Sequence, residues 1–213
     1  APETRVQLVM EGLVGSEGPI AAPDGTFLFT ENDSSRVIRI DETGEISLYL
    51  DNTNESNGLG FDSKGRLISA QRGIPQIGVL LPMREMLTNT SEDQPLMRPN
   101  DLVVNSKDGI YFTDPGTNPP TRKPAVHYIK PDGKVIQIAE DIERPNGIML
   151  SPDENTLYVA NTYGAFVLAF DIQPDGTVRN RRDFVELEGV RQTERGIRSG
   201  ADGLAIDNAG RLY

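Results

Sequence analysis

Cysteine is absent from the 213 residues and histidine occurs once, so several kinds of chemistry are excluded at the outset. Without cysteine the chain has no disulfide framework, no thiolate metal site and no cysteine nucleophile. The single imidazole, His127, lies in an apolar run that reads as a strand, where a lone histidine is more often structural than catalytic. The sequence therefore supports no Ser-His-Asp arrangement.

Positive charge and long apolar segments are also scarce. The chain has 21 Lys and Arg against 32 Asp and Glu, a formal net charge of −11. Nucleic-acid binders need clustered basic residues for phosphate contacts, so we expect no nucleic-acid partner, and an acidic surface favours cations. No apolar run approaches the roughly 18 residues of a membrane span. We expect a soluble protein without a membrane partner, and leave open its oligomeric state and its compartment, whether cytoplasmic, periplasmic or secreted.

The chain is built on one repeated phrase. Residues 98–115 place an oxygen-bearing side chain, Asn100, before a short apolar run, a turn at 107–109 and a second strand at 110–113, which predicts two antiparallel strands. The same phrase opens at four other positions, which are Glu17, Asn57, Asn146 and Asp202. Five copies indicate an internal repeat.

The repeat length identifies the architecture. Short strands repeating at roughly 40 to 50 residues are typical of a β-propeller with one four-stranded blade per repeat. Helix-pair solenoids have similar periods, but the apolar runs here are short and lack a helical stripe. We predict an all-β chain with four complete blades and the start of a fifth. Because a closed ring needs about one and a half blades more, we treat residues 1–213 as a single propeller domain truncated at its C-terminus.

Three segments outside the repeated phrase carry expectations of their own. Residues 6–10 read as a terminal strand that closes the ring. Residues 83–87 read as a helical turn inside an irregular part of blade two. Residues 117–124 form a loop rich in Pro, Asn and Thr, which is unsuited to a sheet interior and is placed to overhang a pocket.

The opening residues of the five copies predict a metal site. The first strand of each blade lies nearest the propeller axis, so equivalent side chains at one end of these strands converge. All five carry oxygen acceptors and two are carboxylates. Oxygen ligation suits a hard divalent cation, with Ca²⁺ the first candidate, Mg²⁺ and Mn²⁺ alternatives, and Zn²⁺ less favoured because no cysteine exists.

A simpler reading is that these positions are only hairpin turns. Asn-Gly and Asp-Gly at 57–58, 146–147 and 202–203 are strong signals for type I′ turns. However, a separate turn follows a few residues later in every copy. The copies at Glu17 and Asn100 also keep the oxygen side chain while breaking the turn signature. We therefore favour a convergent binding site.

Several motifs together resemble a known family. Glu-Gly-Pro at 17–19, Arg-Pro-Asn-Asp at 98–101, Pro-Asn-Gly-Ile at 145–148 and Ala-Asp-Gly-Leu at 201–204 are similar to the senescence marker protein/gluconolactonase/luciferin-regenerating enzyme family. The resemblance covers nearly all of the chain. It implies a six-bladed propeller that holds one divalent metal on its axis and, in most members, hydrolyses sugar lactones.

The resemblance also implies roles for individual residues. By this similarity the metal ligands are Glu17, Asn100, Asn146 and Asp202, the catalytic acid/base is Asp202, and the substrate-binding residues are Arg98, Asn57 and Asp114. The sequence departs from the family pattern at 113–118, and the segment after Gln71-Arg72 lacks the basic run common in the bacterial gluconolactonase-like branch. Both departures concern the substrate more than the metal.

The expected activity is metal-dependent hydrolysis of a small-molecule sugar lactone to the aldonic acid. The metal acts as a Lewis acid, and Asp202 serves as general base and then general acid. Two alternatives stay open at this point. One is another ester or phosphotriester hydrolase on the same scaffold. The other is a non-catalytic calcium-binding or protein-binding propeller, since fold does not fix function.

Overall fold

The computed structural model describes residues 8–194 and 196–213. Within those ranges the fold is all-β, and the one short helical element is a 3-10 turn at Asn32–Ser34. No helix in the same ranges is long and apolar enough to cross a bilayer. The predicted all-β class is therefore confirmed.

Four antiparallel sheets of four strands follow one another along the chain as the blades of a β-propeller. Blade one contains β1 (Ser16–Ala21), β2 (Phe27–Glu31), β3 (Arg36–Ile40) and β4 (Ile46–Leu50), and blade two contains β5 (Ser56–Phe61), β6 (Leu67–Gln71), β7 (Gln76–Leu81) and β8 (Glu85–Thr88). A short hairpin of β9 (Thr90–Ser91) and β10 (Gln94–Pro95) follows blade two.

The next two blades have the same order. Blade three contains β11 (Leu102–Val104), β12 (Ile110–Asp114), β13 (Ala125–Ile129) and β14 (Val135–Glu140), and blade four contains β15 (Pro145–Leu150), β16 (Thr156–Asn161), β17 (Phe166–Ile172) and β18 (Val178–Glu186). A second short hairpin, β19 (Arg191–Thr193) and β20 (Gly196–Arg198), leads to the last repeat.

The last repeat has the beginning of a further hairpin. Ala205 and Tyr213 exchange two backbone hydrogen bonds, and Ile206 forms a bridge with Leu212. The turn between them is closed by Asp207, whose carboxylate accepts the backbone N–H groups of Ala209 and Arg211. The described structure thus shows four blades and the start of another repeat, as predicted from the spacing of the copies.

Two local predictions need comment. The helical turn at residues 83–87 is wrong: Glu85–Thr88 is the outer strand β8, and it pairs with β7 through Ile77↔Thr88 and Val79↔Glu85. Ladder hydrogen bonds with a formed neighbouring strand outweigh the weak local preference of so short a segment. Part of the strand predicted at residues 6–10 lies outside the described residues, and residues 8–10 form no strand.

The hydrophobic core lies between successive blades. Each of three clusters joins two neighbours: Leu28 packs with Leu67, Ile68 with Phe112, and Tyr111 with Ile148. The second strand of a blade is covered on both faces, so β12 is buried along its whole length. This packing explains why the repeats read as continuous apolar runs in the sequence.

His127 belongs to this interior. It lies in β13, is 6% exposed and stacks on Phe112 with ring centroids 5.0 Å apart. Its Nδ1 atom has no hydrogen-bond partner in the described part of the chain. Burial lowers the pKa of the imidazole to about 4, and the nearby charge of Arg122 acts in the same direction. His127 is therefore neutral in the folded protein at neutral pH.

This burial predicts an acid sensitivity. An unfolded His127 takes up a proton near its ordinary pKa of 6.5, whereas the folded one resists protonation until about pH 4. The stabilising contribution is therefore present above pH 6.5 and is lost as pH falls from 6.5 to 4, by about 3 kcal/mol in the free energy of unfolding. In urea unfolding at several pH values, the free energy of unfolding of wild type should fall by about 3 kcal/mol more than that of His127→Gln as the pH is lowered from 6.5 to 4. Parallel pH profiles would contradict the prediction.

Candidate metal centre

The five opening residues lie at equivalent places in the propeller. Glu17, Asn57 and Asn146 occupy the innermost strands β1, β5 and β15. Asn100 lies two residues before β11, and Asp202 opens the last repeat. The three asparagines are buried, Glu17 is half-buried and Asp202 is exposed. All five line a single open cavity. The convergence predicted from the repeat is therefore present.

A β-bulge follows the opening residue in three blades. The register shifts between Glu17 and Ile20, between Ser56 and Leu59, and between Pro145 and Ile148. Each shift includes a glycine directly after the opening residue. Bulges bend a strand and redirect its side chains, and they are frequent beside functional sites. Here the bulges separate the opening residues from the regularly paired part of each inner strand.

These glycines allow the inner strands of adjacent blades to touch. A Cβ atom on Gly18 would lie 2.1 Å from the carbonyl oxygen of Asn57, and one on Gly147 would lie 2.2 Å from that of Asp202. The backbone N–H of Gly147 donates to the Asp202 carbonyl at 3.0 Å, and that of Gly58 donates to Asn100 at 2.9 Å. The requirement for glycine is thus a close backbone approach, beyond any turn chemistry.

Side-chain hydroxyl groups complete the contacts between neighbouring opening residues. Thr30 Oγ1 donates to the Asn57 carbonyl at 3.0 Å, and Thr113 Oγ1 donates to the Asn146 carbonyl at 2.8 Å. Asn146 Nδ2 in turn donates to Thr162 Oγ1 at 3.1 Å. The amide nitrogen of Asn146 is thereby occupied, which leaves its Oδ1 as the atom suited to a cation.

Like charges face one another across the cavity. Burial raises the pKa of Glu17, the negative charge of Asp202 raises it further, and the positive charge of Arg72 opposes both. Asp33 adds a smaller contribution that raises it. Two carboxylates that repel each other without a counter-ion between them are stabilised when a cation binds. The electrostatics of the cavity therefore fit a bound cation.

The donor set is also suited to such an ion. Glu17 and Asp202 supply carboxylate oxygens, and Asn100 and Asn146 supply amide oxygens. In the described residues no group of three or more His, Cys, Asp and Glu side chains is placed to hold a metal. A site here would therefore depend on amide oxygens for half of its protein ligands, which is chemistry accepted by Ca²⁺.

One residue of the cavity was missed by the sequence reasoning. Asp101 stands where blades one, two and four have glycine, and its carboxylate accepts the backbone N–H groups of Leu102 at 2.9 Å and Ile148 at 3.2 Å. Burial, with smaller contributions from the negative charges of Glu17 and Asp202, raises the pKa of Asp101 to about 7 against those hydrogen bonds. The available signal was Asn-Asp at 100–101 in place of Asn-Gly.

The predicted substrate residues fall into two groups. Asn57 lines the cavity, and its Nδ2 has no hydrogen-bond partner among the described residues. Asp114, in contrast, is 2% exposed and accepts the backbone N–H groups of Met97 and Arg98, both at 2.7 Å. Arg98 is partly exposed, with Nη2 3.9 Å from Glu55 Oε2. Asp114 therefore holds the segment that carries Arg98. Within the described ranges the cavity lining includes neither Asp114 nor Arg98.

The position of Asp114 has an equivalent in every complete blade. Glu31, Gln71 and Asn161 also end the second strand, and each is nearly fully buried. Glu31 accepts the backbone N–H of Val14 and Asn161 accepts that of Arg144, while Gln71 accepts from the Asn54 side chain. This repeated arrangement fixes the chain that enters each inner strand.

Two gluconolactonases are similar to this chain. A gluconolactonase of Zymomonas mobilis is 25% identical over 241 aligned residues, which cover 99% of this chain and 67% of that protein. A solved structure of a gluconolactonase from Xanthomonas campestris is 29% identical with a TM-score of 0.81, covering 92% of this chain and 68% of that one.

A third relative shows the fold. Regucalcin from Agrobacterium tumefaciens, described as a calcium-binding protein, superposes with a TM-score of 0.75 at 19% identity, covering 96% of this chain and 68% of that chain. The chain thus spans about two thirds of the length of each of these proteins. The family model described as the SMP-30/Gluconolactonase/LRE-like region matches residues 15–213, a range that includes every candidate ligand. This chain therefore belongs to the SMP-30/gluconolactonase/LRE-like family.

Proposed function

We propose that this protein is a metal-dependent lactonase that hydrolyses a small-molecule sugar lactone to the aldonic acid. The observation that carries the proposal is the convergence of Glu17, Asn100, Asn146 and Asp202 on one cavity. The relationship to gluconolactonases supports a lactonase-type hydrolase. The ligands we propose are those four side chains, and the ion is Ca²⁺ first, then Mg²⁺, Mn²⁺ or Zn²⁺. Regucalcin, described as a calcium-binding protein, supports Ca²⁺ as the first candidate.

A bound divalent ion would supply Lewis-acid polarisation of the lactone carbonyl. Asp202 takes the proton from a water molecule as that water attacks the carbonyl carbon. The bond between the carbonyl carbon and the ring oxygen then breaks, and Asp202 returns the proton to the ring oxygen, which leaves as a hydroxyl group. Atoms balance with one water consumed and one carboxylic acid formed. The exposed position of Asp202 leaves it accessible to water.

The remaining residues bind and orient the substrate. Asn57 Nδ2 is the donor without a partner among the described residues, and it is suited to a substrate hydroxyl or carbonyl oxygen. Arg98 holds substrate oxygens through its guanidinium group. Asp114, which we predicted as a substrate residue, acts in this proposal through the backbone of Arg98, whose N–H it accepts.

We further propose that the blades belong to one domain with six blades in its ring. The four blades and the start of another repeat account for part of such a ring. The proposal is supported by the TM-score of 0.81 with the Xanthomonas campestris structure, of which this chain covers 68%. A ring of six also brings the two ends of the open cavity together around the axis.

Acid release from D-glucono-1,5-lactone by the full chain tests the proposed function. The assay is run after chelation and then with Ca²⁺, Mg²⁺, Mn²⁺ or Zn²⁺ restored one at a time. We expect activity to disappear with the chelator and to return with one of the ions. Activity that survives exhaustive chelation would contradict the metal-dependent mechanism. Absence of hydrolysis with every ion, on this lactone and on pentono- and arylester lactones, would favour a non-catalytic binding propeller.

A further inference from the structure

Arg72 is a basic residue near the candidate metal centre, and the proposed function does not use its side chain. It follows Gln71 at the end of β6. The equivalent residues in blades one and four contact the ring of opening residues: Asn32 Nδ2 donates to Asn57 Oδ1 at 3.3 Å, and Thr162 Oγ1 accepts from Asn146 Nδ2. The propeller symmetry therefore puts Arg72 at the equivalent position of blade two, beside a cavity whose lining, in the described ranges, contains neither Arg72 nor Arg98.

The backbone around Arg72 is held in a defined conformation. Its N–H donates to the carbonyl oxygens of Asn54 and Glu55, two residues with left-handed backbone φ angles of 58° and 51°. The Asn54 side chain binds both the N–H and the carbonyl of Ile74, and it donates to Gln71. Left-handed non-glycine residues in a hydrogen-bonded loop are typical of positions that the fold must fix. Arg72 thus stands on a rigid support.

The guanidinium of Arg72 is half-buried and unpaired. It has no hydrogen-bond acceptor and no carboxylate within ion-pair distance among the described residues. Burial lowers the pKa of Arg72, and the positive charge of Arg98 lowers it further. The more distant carboxylates of Glu17, Asp33 and Glu55 oppose these effects. Arg72 and Arg98 thus both lie next to Glu55, and the half-buried guanidinium of Arg72 lacks the partner that a cation withdrawn from water normally has.

The charges of the metal centre do not supply that partner. Glu17 and Asp202 are neutralised when a divalent cation binds in the proposed function, on which this inference rests. Glu55 lies 3.9 Å from Arg98 and is partly exposed, so it is loosely held. Asp33 is exposed and lies against Gly15. With the metal bound, the guanidinium groups of Arg72 and Arg98 face the carboxylates of Glu55 and Asp33. Among the described residues Arg98 approaches Glu55 to 3.9 Å, whereas no carboxylate lies within ion-pair distance of Arg72.

We infer that Arg72 and Arg98 form an anion subsite and that the preferred substrate is a lactone carrying a carboxylate or phosphate group. The planar guanidinium binds such a group through two parallel hydrogen bonds. In the proposed function the lactone carbonyl would lie beside Asp202 and the other proposed ligands, and the charged end of the same molecule would reach Arg72 and Arg98. The departure from the family pattern just after Gln71-Arg72 lies in this region, where substrate choice is made.

The test compares one neutral and two charged substrates in the full chain. Acid release is followed from D-glucono-1,5-lactone, from 6-phospho-D-glucono-1,5-lactone and from D-glucaro-1,4-lactone, with wild type, Arg72→Gln, Arg72→Lys and the control Arg179→Gln. Arg179 lies on the outer strand β18 and is exposed. We expect Arg72→Gln to lower kcat/KM for the preferred charged lactone by about ten- to a hundredfold and for the neutral lactone by less than about threefold. A larger loss of kcat/KM on 6-phospho-D-glucono-1,5-lactone identifies a phosphate subsite, and a larger loss on D-glucaro-1,4-lactone identifies a carboxylate subsite.

A binding measurement separates this inference from the lactonase proposal. Calorimetric titration with 6-phospho-D-gluconate, D-glucarate and D-gluconate requires no turnover. Tighter binding of one charged acid that is lost in Arg72→Gln and partly kept in Arg72→Lys would support the subsite even if no lactone is hydrolysed. Equal affinity for charged and neutral acids would overturn it, as would an Arg72→Gln effect of the same size on neutral and charged lactones. In those cases normal hydrolysis of D-glucono-1,5-lactone would leave the proposed function intact.

Discussion

Replacing Asp202 by Asn is expected to lower kcat for lactone hydrolysis by about a thousandfold, within the range that general acid–base groups contribute. Asn keeps an oxygen that can face a cation but has no lone pair basic enough to take the proton of the attacking water. Metal affinity should fall less than kcat, because three of the four proposed ligands are unchanged. The measurement is kcat at saturating metal, together with calorimetric metal titration.

The chain offers a matched control for this variant. Asp207 lies five positions further on, in the turn of the same repeat, where it accepts hydrogen bonds from the backbone and side chain of Arg211. Asp207→Asn removes the same charge near the same segment but away from the cavity lining. We expect it to leave kcat within about threefold of wild type. An Asp202→Asn protein that retains a third of wild-type kcat at saturating metal would show that Asp202 is not the acid/base.

The propeller was predictable because its information is local and repeated. Each copy of the phrase has its own turn, such as 107–109, and an apolar run whose burial on both faces follows from the position of the second strand. The convergence of Glu17, Asn57, Asn100, Asn146 and Asp202 follows from symmetry alone, since equivalent residues of a propeller meet at its axis. Spacing in the sequence was therefore sufficient to find the cavity.

The remaining features depend on contacts between blades, which spacing does not contain. The sequence assigned Asp101 no role, but it occupies the gap beside Gly58 and accepts the N–H of Ile148 from the next blade. Arg72 was noted only as the start of an atypical segment. The proposed role of Arg72 rests on a guanidinium group without a hydrogen-bond acceptor among the described residues. Such an absence is visible only when the surrounding side chains are placed. The helical turn predicted at residues 83–87 was wrong for a related reason, because pairing with β7 decides the structure of this segment.

Adding a single methyl group at Gly147 is expected to disturb the metal centre as strongly as removing a ligand. The Cβ atom of Gly147→Ala would lie 2.2 Å from the carbonyl oxygen of Asp202 and 2.8 Å from the backbone nitrogen of Leu204. Both obstacles are backbone atoms, so the last repeat has to move away from blade four and the 3.0 Å hydrogen bond from Gly147 to Asp202 is broken. Because a misplacement of about 1 Å can cost a hundredfold in activity, we expect a loss of that order in kcat/KM.

Stability and metal affinity distinguish this effect from ordinary glycine strain. We expect Gly147→Ala to lower the free energy of unfolding by about 3 kcal/mol and to weaken metal binding at least about tenfold, because overpacking displaces the proposed ligand Asp202. The control is Gly133→Ala, in an exposed turn with φ of 86° and no atom within 4 Å of the added carbon. There the methyl group costs about 1 kcal/mol of backbone strain and leaves metal affinity unchanged. If both variants bind metal like wild type, close contact between blade four and the last repeat does not position Asp202.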